Sequence, residues 1–338
     1  MTMFEVDPDI RKAKTLSSDF YTDPQYFEAS KEKIFARCWQ FLCHEHEIES
    51  LKPVHLLPGV LDEPVLLSRS AGTLSCLSNV CTHRGKILVD EACKANLIRC
   101  EYHGRRFSLY GKFLSMPEFE GVENFPTETD DLRRIPMASR GGFLFCSVDP
   151  RSAFEEFIAD VPNLFSGRKQ VPVLHERKEY EIDAHWALYC ENYLEGFHIP
   201  YVHRSLNAVV DYGTYTTKTF RYSSVQTAFD DGGKVAARYL FIFPNLMFNF
   251  YPWGVSVNVV RPVSHSKSVI EFISYVHDGS KLETGAGADL HGVEMEDEAV
   301  VESVQKGVRS RFYMHGRYSP TREQGTHHFH RLIAEFME

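Results

Sequence analysis

Cys81-Thr82-His83-Arg84-Gly85 is followed, with sixteen residues between His83 and Cys100, by Cys100-Glu101-Tyr102-His103-Gly104. Each short motif supplies one cysteine and one histidine, so the two loops together offer two thiolates and two imidazoles. A [2Fe–2S] cluster with two Cys on one iron and two His on the other needs that donor set, and loops that each give one ligand to each iron satisfy it directly. The rival is a structural zinc site, which can also be Cys₂His₂. Zinc fingers, however, group their ligands by type, a Cys pair and then a His pair. The interleaved order C-x-H, C-x-x-H favours the cluster over zinc.

A second motif lies at 191–203, which reads Glu191-Asn192-Tyr193-Leu194-Glu195-Gly196-Phe197-His198-Ile199-Pro200-Tyr201-Val202-His203. Two imidazoles and a carboxylate with open positions form the facial triad of non-haem Fe(II) enzymes that activate oxygen. On a regular helix His198 and His203 would point roughly 140° apart, but Pro200 between them disrupts a helix interior. A distorted turn can bring both rings to one metal, with Glu195 on the His198 side. Read blandly, two histidines five apart in a chain with sixteen are ordinary polar residues. Behind the Cys/His loops they become an iron site.

With both motifs, the chain resembles the oxygenase (alpha) subunits of the Rieske non-haem iron oxygenases, along essentially its whole length. The resemblance implies that Cys81, His83, Cys100 and His103 bind a Rieske [2Fe–2S] cluster and that His198 and His203 bind a mononuclear Fe(II), with O₂ as co-substrate. It implies that Asn192 lies near the iron and that Glu195, where the family more often has Asp, links the two metal centres across a subunit boundary. The third iron ligand is expected in Glu294-Met295-Glu296-Asp297-Glu298, ahead of an amphipathic run with Val300, Val301, Val304 and Val308 at helical spacing. Such acidic residues also suit a helix start on their own account. By the family's Glu-Asp pattern the ligand is Asp297, with Glu294 and Glu298 in reserve.

The implied fold class is α+β: a segment 1–39 with a helix over Tyr26–Trp39 that packs with the catalytic domain, an all-β cluster domain over 40–150, and a catalytic domain of antiparallel sheet flanked by helices over 151–338. Strands are expected at Pro64–Ser68, Gly142–Val148, Thr214–Val225 and Val255–Tyr275, and Tyr239–Phe250, interrupted by Pro244-Asn245, reads as a buried strand pair. Helices are expected over Val300–Arg311 and Pro320–Phe336, with Ser319 as cap and Pro320 in the first helical position.

Net charge is −9 and the pI about 6.0, so there is no basic field for nucleic acid. No apolar run spans a bilayer, and the first twenty residues lack the core of a signal peptide. Beyond the cluster ligands, six cysteines without disulfide-like spacing fit reduced thiols and a cytoplasmic protein. Gly285-Ala286-Gly287 lacks the third glycine and the context of a dinucleotide fingerprint. Electrons are therefore expected from a separate ferredoxin or NAD(P)H-dependent reductase, and the resemblance implies a homotrimer.

The expected activity is that of an iron-dependent oxygenase. The stretch from Glu296-Asp297 to His328-Phe329-His330 looks most like the choline, glycine betaine and carnitine monooxygenase branch, and N-methylated or quaternary amines are the nearest substrate class. Aromatic-ring hydroxylation is the alternative, and an electron carrier without oxygen chemistry a more distant one. Phe248-Asn249-Phe250-Tyr251-Pro252-Trp253 can serve as part of a cation cage or simply as core. His327, His328 and His330 read as polar positions along one side of a helix.

Overall fold

Short apolar runs punctuated by Gly, Pro and Asp make the segment that carries the Cys/His loops a stack of small antiparallel sheets. In this computed structural model, which describes residues 4–159, 161, 164–165, 173–282 and 284–338, that segment is one compact unit, Trp39–Arg151. Its strands are β1 (Gln40–His44), β2 (Leu51–Leu56), β3 (Glu63–Ser70), β4 (Thr73–Ser78), β5 (Ile98–Arg99), β6 (Arg106–Phe107), β7 (Phe113–Ser115), β8 (Met137–Arg140) and β9 (Phe143–Cys146). They pair in the orders β1-β9-β8, β2-β3-β4 and β5-β6-β7. Because side chains alternate along a strand, β3 feeds two cores. Val65 and Leu67 pack with Leu42, Leu56 and Leu144; Leu66 packs with Leu77, Ile98, Phe107 and the two motif cysteines, Cys81 and Cys100.

The second unit joins Met1–Cys38 to Ser152–Glu338. Its centre is a seven-stranded antiparallel sheet in the order β10-β16-β15-β14-β13-β12-β11. The strands are β10 (Val173–Ile182), β11 (Thr216–Thr219), β12 (Ser223–Phe229), β13 (Val235–Ile242), β14 (Leu246–Tyr251), β15 (Gly254–Ser264) and β16 (Lys267–Val276). The expected pair around Pro244-Asn245 is β13 and β14, in register Ile242↔Leu246 and Tyr239↔Asn249. Helices α1 (Asp19–Thr22), α2 (Pro24–Ser30), α3 (Phe154–Phe157), α4 (Trp186–Tyr193), α5 (Ile199–Val202), α6 (Arg204–Asn207), α7 (Leu290–Val308) and α8 (Gln324–Met337) complete it. The fold is α+β, as expected. No helix among the described residues is long and apolar enough to cross a membrane.

Three helices differ from expectation. The helix over Tyr26–Trp39 begins at Pro24, where Asp23 accepts from Gln25 N–H, and passes into a π turn at Lys31–Phe35. Helix α7 starts ten residues before Val300, because the Asp289 side chain accepts from Gly292 N–H. The acidic stretch is therefore inside the helix, and its inner face is Glu294, Val301, Gln305 and Val308, with Val304 exposed. Gln305 belongs inside because its Oε1 accepts from the backbone N–H of His185. Helix α8 starts at Gln324, not Pro320. Ser319 does not cap it; its backbone N–H donates to Glu323 Oε2 and its carbonyl accepts from Arg322 and Glu323 in a preceding turn. His327 and His330 are buried rather than a polar side, since His330 is held by Glu191 and Tyr318 and His327 meets the carbonyl of Asp7.

Candidate metal centres and the cavity beside them

The two Cys/His loops are built alike. Cys81 N–H donates to Lys86 O and Cys100 N–H to Arg105 O, both at 2.8 Å. Gly85 N–H returns to Cys81 O, and Gly104 N–H to Cys100 O, both at 3.0 Å. Each return needs a left-handed residue, and Gly85 and Gly104 have φ of 72° and 75°, a conformation unstrained only for glycine. The thiols of Cys81 and Cys100 are buried, within hydrogen-bonding reach of each other, and the His83 and His103 rings stand 4.8 Å apart. Both rings bury an Nδ1 that has no protein partner. A buried polar atom without a partner is costly, and two such imidazoles above two thiols fit a metal cluster. The histidines are half-buried, and Thr82, Arg84, Glu101 and Tyr102 beside them are exposed.

Beneath the loops Arg105 is 2 % exposed. It pairs with Asp130 at 2.6 Å and lies over the rings of Phe107, Phe113 and Phe125.

In the other unit, α4 is apolar from Trp186 to Cys190 and wholly buried there, as expected of a helix without a polar face. It ends at Leu194, and the chain turns at Gly196, where an added Cβ would strike the Tyr215 ring at 2.8 Å. His198 opens the one-turn helix α5, with Pro200 in its first turn, and His203 leaves helical geometry at φ −102°, ψ 87°. That break replaces the wide angle of a regular helix: the two Nε2 atoms stand 3.1 Å apart. Asp297, on the inner side of α7 one turn after Glu294, brings Oδ1 to 3.1 Å from His203 Nε2 and 3.6 Å from His198 Nε2. His198, His203 and Asp297 are the set among the described residues whose ligand atoms all lie within 4.8 Å of one another, which fits a single iron. Glu294 and Glu298 are not part of it.

Each imidazole is oriented from behind. Glu195 Oε1 lies 2.6 Å from His198 Nδ1, and its Oε2 accepts from the N–H groups of Phe197 and His198. Glu296 Oε2 lies 2.7 Å from His203 Nδ1. Asn192 donates to Asp297 Oδ1 at 2.5 Å. Burial pulls the His203 ring pKa down, but the Asp297 and Glu296 carboxylates outweigh it and raise it.

A cavity opens beside this triad. Its walls include Tyr193, Tyr215, Tyr239, Tyr251 and Phe272, together with the triad, Asn192 and Glu195. Burial pushes the tyrosine phenols up, so they stay neutral. Cross-strand partners Gln226, Tyr239 and Asn249 share one face of the sheet and all line the cavity, as does Asn258 on β15. Of the aromatic segment 248–253, Tyr251 faces the cavity, while Phe248 and Trp253 are core. Sequence reasoning missed Glu296, Tyr215, Tyr239 and Asn258. A usable signal existed for the strands: Asn249 and Asn258 sit alone inside apolar runs, and a buried polar side chain needs a partner.

Comparison with known proteins matches both regions of the chain. Residues 38–126 match the Rieske [2Fe-2S] domain, and 173–229 with 214–338 match the ring hydroxylating alpha subunit (catalytic domain). The chloroplastic choline monooxygenase of Arabidopsis thaliana is 31% identical over 97% of this chain and 85% of that protein. The carnitine monooxygenase oxygenase subunit of Escherichia coli (strain K12) is 28% identical, over 96% and 94%. The crystal structure of the quaternary ammonium Rieske monooxygenase CntA with L-carnitine superposes with a TM-score of 0.82 at 26% identity, covering 99% of this chain and all of that one. Naphthalene 1,2-dioxygenase shares the fold at 18% identity and a TM-score of 0.76. The chain belongs to the oxygenase (alpha) subunits of the Rieske non-haem iron oxygenases, oxidoreductases that use a [2Fe–2S] cluster, a mononuclear iron and O₂ and take electrons from a reductase or ferredoxin.

Proposed function

We propose that this chain oxidises a small N-methylated or quaternary ammonium compound, by hydroxylation or oxidative demethylation. The observation that carries this reading is the wall beside the triad: neutral tyrosine faces together with carboxylates. Aromatic faces attract an ammonium group through the ring quadrupole, most strongly once it is desolvated. The names of the choline and carnitine relatives support the same class. An aromatic hydrocarbon, the alternative substrate, gains little from buried amides such as those of Gln226, Asn249 and Asn258.

In this reading Cys81, Cys100, His83 and His103 hold the cluster, and His198, His203 and Asp297 hold the iron. When bound, the two groups supply stored electrons and open positions for O₂. The protein's own part is orientation. Glu195 and Glu296 each keep a proton on Nδ1 of a histidine, so that Nε2 presents a lone pair to the metal. Asn192 fixes the Asp297 carboxylate through its amide donor. The tyrosines shape the cavity and exclude water from it. Glu195 also links His198 to a cluster histidine of a neighbouring copy in a ring of three. The solved relative that prompted a report on inter-subunit electron transfer supports that arrangement. The protein acts in the cytoplasm, with a separate reductase or ferredoxin as its partner.

The test is turnover by the metal-loaded protein with a surrogate reductase, offered trimethylammonium compounds and aromatic acids in parallel. Substrate-dependent O₂ uptake with oxidised product should appear with the ammonium compounds. Turnover of aromatic acids alone would overturn the reading.

A further inference from the structure

The turn between α4 and α5 carries both Glu195 and His198, and its own hydrogen bonds are local. Leu194 N–H returns to Cys190 O and Ile199 N–H to Gly196 O, while the Glu195 carboxylate takes the N–H groups of Phe197 and His198. Such bonds shape the turn without fixing it to the sheet. Gln226, on β12 and 2 % exposed, supplies the tie. Its Nε2 donates to the carbonyl of Tyr193 at 2.6 Å, and its Oε1 accepts from the Tyr215 phenol at 3.1 Å. Tyr193 O is among the last carbonyls of α4, which have no partner inside the helix. The phenol of Tyr193 adds a side-chain tie, to Asn249 Oδ1 at 2.7 Å.

Tyr215 holds the other end of the turn. Its ring packs against the core of Val210, Tyr251 and Trp253 and closes on Gly196, where a Cβ would meet it at 2.8 Å. Gly196 has no left-handed φ that would call for glycine; what the missing side chain gives is room for the ring. One buried amide therefore grips the main chain directly at Tyr193 and, through Tyr215, at Gly196. Glu195 lies between those two points, and His198 follows two residues after the second. Among the described hydrogen bonds, none joins Gln226 or Tyr215 to His198, His203 or Asp297. Both residues line the cavity, yet the amide of Gln226 is already engaged by the protein at both of its ends. A metal constellation works only when its ligands are held to within about 0.5 Å, and this turn has its hold from those two side chains.

We infer that Gln226 and Tyr215 are positioning residues of the iron site: they set the place of the Glu195–His198 turn through the main chain at Tyr193 and Gly196. The ligand His198 and the carboxylate behind it then keep their places together. The inference rests on the proposal that His198, His203 and Asp297 hold the iron, and adds two residues that act on it at one remove.

The experiment uses the metal-loaded protein without substrate, so that contact with substrate plays no part. Nitric oxide added to the ferrous protein gives an EPR signal whose shape follows the symmetry at the iron. Gln226→Met keeps the length of the side chain and removes both hydrogen bonds. It should change the shape of that signal and speed iron loss to a chelator by about tenfold to a hundredfold, the range for groups that orient a ligating histidine. The cluster spectrum should stay native, which general loss of structure would not allow. Gly196→Ala, which presses on the same ring from the turn, should change the signal in the same way. Adding Tyr215→Leu, which makes room for the new methyl group, should restore part of the native shape; no recovery would overturn the part given to Tyr215. A native signal with native iron retention in Gln226→Met would overturn the inference and leave Gln226 as a wall residue of the cavity. A native protein that holds no iron at the triad would instead defeat the iron reading beneath it. Should Gln226→Met fold poorly, Tyr215→Phe, which removes one hydroxyl and keeps the ring on Gly196, should show a smaller change of the same kind; an unchanged signal there would overturn the inference as well.

Discussion

Glu296 Oε2 lies 2.7 Å from Nδ1 of His203, on the side of the ring away from Asp297. That contact fixes which nitrogen keeps its proton and leaves Nε2 to the metal. Glu296→Ala should therefore lower iron affinity by about tenfold to a hundredfold, the usual effect of removing a carboxylate behind a ligating histidine. Iron retention during dialysis against a chelator, with the cluster absorbance as internal reference, reads the effect. Unchanged retention would mean that the Glu296 contact is incidental.

Glu195 makes the equivalent contact to His198, and the proposed link to a second centre asks more of it. Glu195→Gln should keep both metals and turn over very slowly. Stopped-flow mixing of prereduced protein with O₂ and substrate should show cluster reoxidation slowed by at least about a hundredfold, at or beyond the top of the range for such partners. Glu195→Asp, with the shorter carboxylate, should be partly active. Native reoxidation rates in Glu195→Gln would mean that electrons reach the iron by another route.

The candidate ligand motifs were legible in the sequence because each is short-range: Cys81 to Gly85, Cys100 to Gly104 and Glu195 to His203 are each one continuous segment. Asp297 needed the family pattern, and the structure placed it with the two histidines while setting Glu294 and Glu298 aside. Glu296 was not legible as a partner of His203, since it lies 93 positions away and no local rule joins them. Tyr215, Tyr239 and Asn258 come from separate segments and meet only through sheet register. The start of α7 was missed because Asp289 was not read as a cap; tertiary contact with His185 then put Gln305, not Val304, inside.

Buried Arg105 pairs with half-buried Asp130 under the Cys/His loops. Removing Arg105 leaves Asp130 without its cation, at a cost below the about 3–5 kcal/mol of a fully buried pair because water reaches the carboxylate. Arg105→Ala should therefore bleach its cluster at clearly lower urea concentration than the native protein. Arg105→Met with Asp130→Leu should recover much of the loss, because an apolar pair of similar volume replaces both charges. No recovery would shift the weight of Arg105 to its stacking on Phe107, Phe113 and Phe125.

His185, 1 % exposed, is pushed by burial down to about 3 from 6.5. The unfolded chain protonates this ring below 6.5 while the folded one does not, so the group's stabilising effect is full above pH 6.5 and is lost as pH falls toward 3. The slope is about 1.4 kcal/mol per pH unit within that window. Melting temperatures measured between about pH 6.5 and 5, before most carboxylates titrate, should fall less steeply for His185→Asn than for the native protein. Equal slopes would mean that the folded ring titrates normally.

The most direct measurement of the account as a whole is iron, sulfide and zinc analysis with EPR on the native protein, Cys81→Ser and Asp297→Ala. The native chain should hold about three irons and two sulfides, as a [2Fe–2S] cluster plus one mononuclear iron requires, and show a Rieske signal when reduced. Asp297→Ala should lose one iron and keep that signal; Cys81→Ser should lose the signal and the sulfide. Stoichiometric zinc in place of iron and sulfide, or an Asp297→Ala protein that keeps its third iron and full activity, would contradict it.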